Sequence, residues 1–457
     1  MILMLASVAV QLRDLFRRLF QNPLIRRIVK NSGYLFSATS VSAFMGMLQG
    51  ILAARLLGPA MFGVLGAVTN FATTLNKLAS FRINEMVVRY VGQYQEHGDP
   101  QRAATAFKVA ILLEISGSLL AFALILGLAP LGARFFAHDE SLAFWFRIYG
   151  LVVLSNLIYE SSTGLLQIFD RFRFIAIVQA AQSMVTLTLI AVVYIVKGGL
   201  IPLILAYLIG KTVGALAYTL AALHQARRSW GKDWWRTSFE PLAGELRSLL
   251  VFAFSTNLSG TVSLIAKDSE VLWVSAFLGT TEAGYYKLAL SLANILQLPI
   301  SPLPKATYPE LSRETARRNW GNVRYVLLEG SRLAALYTIP AALGLILFGS
   351  WLIAWVYKPE YLPAYPATVI LLLGYVFVNI FYWNRVALLA LSHPVYPTVV
   401  NIAGMVLKVG AIFLWLPQGG YLAFAWLLSG YYLFTVGLAV GRVFVDLRVS
   451  HREGFHR

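Results

Sequence analysis

Ionisable side chains stand inside long apolar stretches of this sequence, where a charge is costly unless it is paired or faces water. The cations are Lys77, Arg82, Lys211, Lys267, Arg385 and Lys408, and the acids are Glu85, Glu114, Glu160, Asp268 and Glu270. Buried cations attract a negatively charged ligand, whereas a carboxylate in a low dielectric gains proton affinity and can load and release a proton or a sodium ion. Because the two sets are nearly equal in size, the charge count alone does not decide between these chemistries.

The spacing of these charges leaves two interpretations open. Arg82 and Glu85 are three positions apart, as are Lys267 and Glu270. The two residues of each pair would share a helical face, where their opposite charges neutralise each other. Alternatively, the cations face a water-filled cavity and bind an anionic substrate. The substrate-binding set is then Lys77, Arg82, Lys211, Lys267, Lys408 and Arg385, with Lys77, Lys211 and Lys408 as its unpaired lysines. The set for ion coupling is Asp268, Glu270 and Glu85.

Several other chemistries lack the residues that they need. The chain contains no cysteine, which excludes disulfides and thiolate metal or redox sites. Its six histidines form no HExxH pattern, and no P-loop for ATP hydrolysis is present. We therefore predict a protein that is not an enzyme, with no catalytic residues, no metal site and no cofactor, apart from coupling to a proton or sodium gradient.

The composition indicates the elements that position these charges. Of 457 residues, 58% are hydrophobic and 13% are charged, and the mean hydropathy is +0.67. Apolar stretches of roughly 18 to 25 residues recur along the chain, and each can cross a hydrocarbon core about 30 Å thick. We predict an all-α polytopic membrane protein with about twelve transmembrane helices in two six-helix lobes related by an internal repeat. The predicted helices are 31–56, 61–92, 105–130, 141–168, 173–196, 200–226, 247–277, 282–303, 326–349, 363–391, 395–416 and 421–446.

The formal charge of +17 is unevenly distributed along the chain. Lysine and arginine concentrate near both termini and in the loops that follow even-numbered helices, which by the positive-inside rule are cytoplasmic. Both termini are therefore expected in the cytoplasm, and nucleic acid is not needed to explain the charge. We predict a basic amphipathic interfacial segment at 1–30, lobes at 31–226 and 247–446, a cytoplasmic connector at 227–246 and a cytoplasmic tail at 447–457.

A short motif recurs in both halves. Residues 57–63 read Leu-Gly-Pro-Ala-Met-Phe-Gly, and residues 278–284 read Leu-Gly-Thr-Thr-Glu-Ala-Gly. Each copy closes one apolar stretch and opens the next, which favours an origin by duplication; duplicated bundles are common among secondary transporters, with the substrate near the repeat interface. A tight turn needs positive φ or close backbone approach, so we interpret Gly58, Gly63, Gly279 and Gly284 as architectural.

The first copy, together with Val87-Val88-Arg89-Tyr90-Val91-Gly92, resembles the opening signature of the polysaccharide-biosynthesis flippases. These are the O-antigen-flippase-like exporters of lipid-linked oligosaccharides within the multidrug/oligosaccharidyl-lipid/polysaccharide exporter superfamily. Residues 267–272, 277–279, 283–286 and 308–312 are similar to that family's seventh and eighth helices and the loop after them. The resemblance covers most of the chain in order and spacing.

The resemblance implies a V-shaped bundle that moves an undecaprenyl-pyrophosphate-linked oligosaccharide, or a similar polyprenyl-linked sugar, from the cytoplasmic to the outer leaflet. Transport would proceed by alternating access, for cell-surface polysaccharide biosynthesis, in the inner or plasma membrane of a prokaryote. The expected partners are the lipid-linked substrate, membrane lipids, glycosyltransferases and a polysaccharide polymerase. The pyrophosphate would be the anion that the cavity cations attract.

Three other functions are left open by the residues. A cation-coupled multidrug antiporter of the same superfamily would use its acidic side chains to bind cationic compounds. A membrane glycan polymerase or ligase would need a large outward loop or a catalytic domain, and the predicted outward loops are short. A scaffold without transport activity is a third alternative.

Overall fold

The computed structural model describes residues 23–79, 83–242, 244, 245, 247, 249, 261–393 and 395–454, and these residues are mostly helical. The stretch Pro23–Ala79 is divided at Gly58 into α1 (23–57) and α2a (59–79), and Tyr396–Gly454 is divided at Gly420 into α11 (396–419) and α12 (421–454). The rest of the first half comprises α2b (83–96), α3 (Pro100–Gly132), α4a (Ala143–Ser155), α4b (Tyr159–Ile168), α5 (Phe172–Ile195) and α6 (Leu200–Trp230). The second half comprises α7 (Glu270–Leu278), α8a (Thr280–Ile295), α8b (Leu303–Ala316), α9 (Trp320–Val356), α10a (Ala364–Ile380) and α10b (Asn384–Ala390), followed by α11 and α12.

The predicted membrane character is confirmed. Nine segments of the described chain are long and apolar enough to cross a membrane, and the first of them, Phe36–Glu96, covers α1 from Phe36 onward together with α2a and α2b. α7 and α8 fall outside these nine because α7 is only nine residues long after the irregular turn at 264–269, and α8a and α8b are separated by a turn at 296–302. Pro299 and Pro302 lie in that turn, as expected of residues that cannot continue a helical hydrogen-bond ladder.

The two recurrent turns are built as predicted. Gly58 has a φ of 72° and Gly279 a φ of 122°, a region that side chains with a Cβ rarely adopt. Helix ends were predicted less well at two places. α8b runs through 303–316 and α9 begins at Trp320, so of the arginines expected in a loop there Arg313 and Arg324 lie on helices, whereas Arg317 and Arg318 lie in the turn.

The helices form two lobes, α1–α6 and α7–α12, that are joined at one end. We call this end the hairpin side, which carries the turns at 58, 133–142, 196–199, 279 and 357–363, and the other end the connector side, which carries those at 97–99, 169–171, 231–242 and 317–319. On the hairpin side one apolar core includes Phe62 and Phe146 of the first lobe with Leu288 and Tyr361 of the second. On the connector side each lobe has its own core. The described lobes therefore share buried surface at the hairpin side and diverge toward the connector side.

The chain between the lobes packs against the first lobe. α6 continues to Trp230, and the rings of Trp230 and Trp234 lie 5.6 and 5.4 Å from the ring of Phe107. Of the predicted interfacial segment 1–30, residues 1–22 lie outside the described residues and 23–30 begin α1. At the other terminus α12 continues to Gly454.

Candidate functional site

An ion pair joins the two lobes between their diverging walls. Lys77 of α2a donates to a carboxylate oxygen of Asp268, which precedes α7, over 2.9 Å. The two side chains are 47% and 36% exposed, so the pair is reachable by water and by a ligand. The prediction that Lys77 is unpaired is wrong. Its partner lies in the opposite lobe, and the spacing of charges along one helix identifies only partners on that helix.

A polar pocket of about 330 Å³ lies in the wall of the first lobe, next to this pair. Its charged lining is Lys77, Lys211, Glu114 and Glu160, and its polar lining includes Thr73, Asn76, Asn156 and Gln182. Lys211 extends into the pocket from α6. The pocket therefore mixes both signs of charge.

Glu114 has a structural task in that pocket. The fourth helix is interrupted at 156–158, and Glu114, which is 5% exposed, accepts hydrogen bonds from the N–H groups of Glu160 (2.7 Å) and Ser161 (2.8 Å) and from the Ser161 hydroxyl (2.5 Å). These are donors at the first turn of α4b that have no partner within the helix. Glu114 therefore holds the broken helix in place, and its carboxylate oxygens are already engaged.

A second pocket, of about 390 Å³, lies in the wall of the second lobe. Lys267 and Arg385 line it, together with the polar residues Ser263, Asn384, Thr398, Asn401, Tyr431, Tyr432 and Thr435. None of the described residues that line it is acidic. Since Lys267 lines this pocket and the adjacent Asp268 binds Lys77 of the other pocket, the two pockets adjoin at the ion pair. The second wall is thus the more cationic of the two.

Arg385 is positioned by a break in the tenth helix. α10a ends at Ile380 and α10b begins at Asn384. At the break the indole N–H of Trp383, which is 1% exposed, donates to the Ser331 hydroxyl over 2.7 Å. The buried indole fixes the turn, so that Asn384 and Arg385 follow it into the pocket.

Lys408 and Glu270 form a pair that the sequence analysis did not predict. The Lys408 ammonium donates to the carboxylate of Glu270 and, over 2.5 Å, to the carbonyl of Ala266. Both charged side chains are almost fully buried. Two expectations are therefore wrong: Lys408 is not an unpaired cavity lysine, and Glu270 does not pair with Lys267 on its own helix. The reason is a π-helical turn at Leu264–Asp268, which breaks the regular spacing and turns Glu270 toward α11 while Lys267 faces the pocket.

The remaining predicted site residues lie apart from these contacts. Glu85 is exposed on α2b and is not among the described residues that line either pocket. Arg82 lies outside the described residues, so its predicted pairing with Glu85 is not described. The substrate-binding and ion-coupling roles of the whole set stay predictions.

One lysine that was not predicted as a site residue lies at the contact of α2a with α8a, which we call the lobe seam. The ammonium of Lys287 lies 4.2 Å from the centre of the Phe62 ring, and its side chain packs against Gly66. Gly66 and Lys287 occupy equivalent positions of the internal repeat. Alignment of the two halves would have shown this lysine opposite a glycine, which is the signal that could have found it.

Comparison with known proteins agrees with this architecture. Residues 28–314 match the family model described as "Polysaccharide biosynthesis protein". The chain is 26% identical over 348 residues to the "Inner membrane protein YghQ" of Escherichia coli (strain K12), a match that covers 76% of this chain and 97% of that protein.

Solved structures share the fold at low sequence identity. An inward-facing multidrug resistance MATE family transporter of the MOP superfamily superposes with a TM-score of 0.75 at 14% identity, over 90% of this chain and 96% of that one. An outward-facing MATE family transporter gives 0.59 at 14% identity, over 93% and 96%. A MOP superfamily transporter from Pyrococcus furiosus, reported for the reverse polarity of its binding pocket, gives 0.65 at 13% identity, over 93% and 96%. The chain therefore belongs to the polysaccharide biosynthesis protein family and has the two-lobed helical fold of MOP-superfamily transporters.

Proposed function

We propose that this protein is a flippase that moves a polyprenyl-pyrophosphate-linked oligosaccharide from the cytoplasmic to the outer leaflet, for cell-surface polysaccharide biosynthesis. The observation that carries the proposal is the cationic pocket of the second lobe. Lys267 and Arg385 line it, and no described residue of its lining is acidic. A pyrophosphate carries negative charge whatever sugar is attached, so two cations in a polar recess are suited to it.

The state of the carboxylates favours this proposal over a drug antiporter. A cationic drug needs an acidic group that is available to it, but Glu114 caps α4b, Glu160 accepts from the Asn84 N–H, Glu270 binds Lys408 and Asp268 binds Lys77. The cations Lys267 and Arg385, by contrast, are exposed toward the second pocket. The reported reverse polarity of the Pyrococcus furiosus transporter's pocket is consistent with variation of this kind within the fold.

The shape of the molecule supports alternating access. The lobes share a core on the hairpin side and have separate cores on the connector side, and the superposition is better on an inward-facing than on an outward-facing relative. We place both termini and the connector in the cytoplasm, following the positive-inside rule. The cavity then faces the leaflet where lipid-linked sugars are assembled, and glycosyltransferases and a polymerase are the proposed partners.

Translocation of a fluorescent polyprenyl-pyrophosphate sugar in proteoliposomes tests the proposal. The double variant K267A/R385A is expected to lose most of the transport, because it removes both cations of the second pocket. The matched control is R332A, since Arg332 is exposed and pairs with Glu329 on its own helix, away from both pockets. Transport of a cationic drug but not of the lipid-linked sugar would support the antiporter, and sugar transfer by the purified protein alone would support an enzyme.

A further inference from the structure

The Lys408 ammonium is surrounded by groups that stabilise a positive charge. It is 4% exposed and donates to the Ala266 carbonyl and the Glu270 carboxylate. Glu270 is 1% exposed, and its second oxygen accepts from the Tyr286 hydroxyl over 2.7 Å. The face of the Tyr431 ring lies 6.0 Å from the ammonium.

The same ligands would suit an alkali cation. In membrane transporters, interrupted helices coordinate sodium through their unwound backbone carbonyls. The chain is interrupted in this way here, because the Ser269 N–H donates to the Leu264 carbonyl, five residues back instead of four. Ala266 lies within that irregular turn, and Glu270 follows it as the first residue of α7.

Open space adjoins the lysine. A cavity of about 340 Å³ borders Lys408 and is otherwise lined mainly by apolar residues such as Trp415, Trp426 and Phe434. Truncation of the Lys408 side chain would connect Glu270 with that cavity. Glu270 would then be a buried carboxylate without its counter-ion, which is a strongly unfavourable state.

We propose that the Lys408 ammonium is a built-in substitute for a coupling cation and fills an alkali-cation site formed by the Glu270 carboxylate and the Ala266 carbonyl, with the Tyr286 hydroxyl holding the carboxylate in place. Glu270 therefore does not sense the sodium gradient in the native protein. Removal of Lys408 converts the same groups into a sodium site. This inference rests on the second-lobe geometry and is independent of which substrate the protein carries.

Thermal unfolding of the purified full-length protein tests it, in sodium, lithium, potassium or choline chloride at constant ionic strength. The native protein is expected to melt at the same temperature in sodium and in choline. K408A is expected to melt at a lower temperature in choline. Its free energy of unfolding should rise with sodium concentration, by an equal increment for each tenfold increase above the dissociation constant. Adding E270Q to K408A removes the carboxylate, and the sodium response should disappear.

K211A is the matched control, because it removes a lysine from the first-lobe pocket and leaves the groups around Lys408 intact. It should melt identically in the two salts. The inference is overturned if the native protein is stabilised by sodium and E270Q abolishes that effect. It is also overturned if K408A melts alike in sodium and choline, or if K408A cannot be recovered in either salt, since sodium must be able to replace the ammonium. None of these outcomes depends on glycan transport.

Discussion

Gly63 and Gly284 each pack directly against the backbone of the opposite repeat, and the two contacts are equivalent. A methyl group on Gly63 would lie 1.7 Å from the Thr280 carbonyl oxygen, and one on Gly284 would lie 2.0 Å from that of Pro59. The same sequence interval separates Gly63 from Gly284 and Pro59 from Thr280. The duplicated hairpins thus meet in a two-fold-like contact at the lobe seam.

Alanine at Gly63 or Gly284 should force the lobes apart at the seam. The opposing atom is a backbone carbonyl that cannot move without shifting its helix, so each variant should lose about 1 to 3 kcal/mol of stability, as expected for overpacking. Thermal unfolding checks this. G127A is the control, because a methyl group there would meet nothing within 4 Å. Equal melting of G63A and G127A would contradict the close contact.

Hydropathy and turn residues were sufficient to predict the helical architecture. A membrane-length helix is determined by the length of its apolar run, and the turns at Gly58 and Gly279 follow from the need for positive φ. The interruptions at 156–158, 264–269 and 381–383 were not predicted. Hydropathy reports which side chains avoid water and carries little information on the backbone angles of a segment that is apolar on both sides of a break.

The pairing of charges could not be predicted for a different reason. Asp268 pairs with Lys77, and Glu270 with Lys408, far away in the sequence in both cases. Spacing on one helix identifies only local partners, whereas these partners are selected by helix packing. The sequence therefore identified the right charged residues in the spans and assigned three of them the wrong environment.

The cap formed by Glu114 should be required for stability. E114A leaves two N–H groups and the Ser161 hydroxyl at the start of α4b without an acceptor, and we expect a loss of about 2 to 3 kcal/mol. E114Q keeps one carbonyl acceptor and should lose less. Denaturant or thermal unfolding measures both. S116A is the control, since Ser116 is on the same helix and its hydroxyl donates to the Leu113 carbonyl of that helix. An E114A protein as stable as S116A would show that the cap is unimportant.

The Trp383–Ser331 hydrogen bond should hold Arg385 in place. W383F keeps a ring in the cluster with Phe381 and Phe444 but loses the donor, and S331A loses the acceptor. A double-mutant cycle on unfolding free energy should give a coupling of about 1 kcal/mol. Both single variants should also transport less, because Arg385 follows the turn that the indole fixes. Additive effects in the cycle would mean that the hydrogen bond contributes nothing.

The Lys77–Asp268 pair should bias the lobes toward the present arrangement with little effect on folding. The pair is largely exposed, and exposed pairs contribute at most about 1 kcal/mol. K77A and D268A should therefore unfold almost like the native protein, yet each can shift the ratio of the two lobe arrangements by up to about fivefold. The native chain lacks cysteine, so a single Leu288→Cys in the core that the two lobes share on the hairpin side can report the shift without background.

The expected result is faster labelling of that cysteine by a water-soluble maleimide in K77A and D268A, because opening at the hairpin side exposes it. The charge-swapped variant K77E/D268K restores an attractive pair and should return labelling toward the native rate. Raised salt screens the pair and should speed labelling in the native background but not in K77A. R332A, which breaks a pair within one helix, should leave the rate unchanged. Labelling that is identical in K77A, D268A and R332A would show that the ion pair does not connect the lobes energetically.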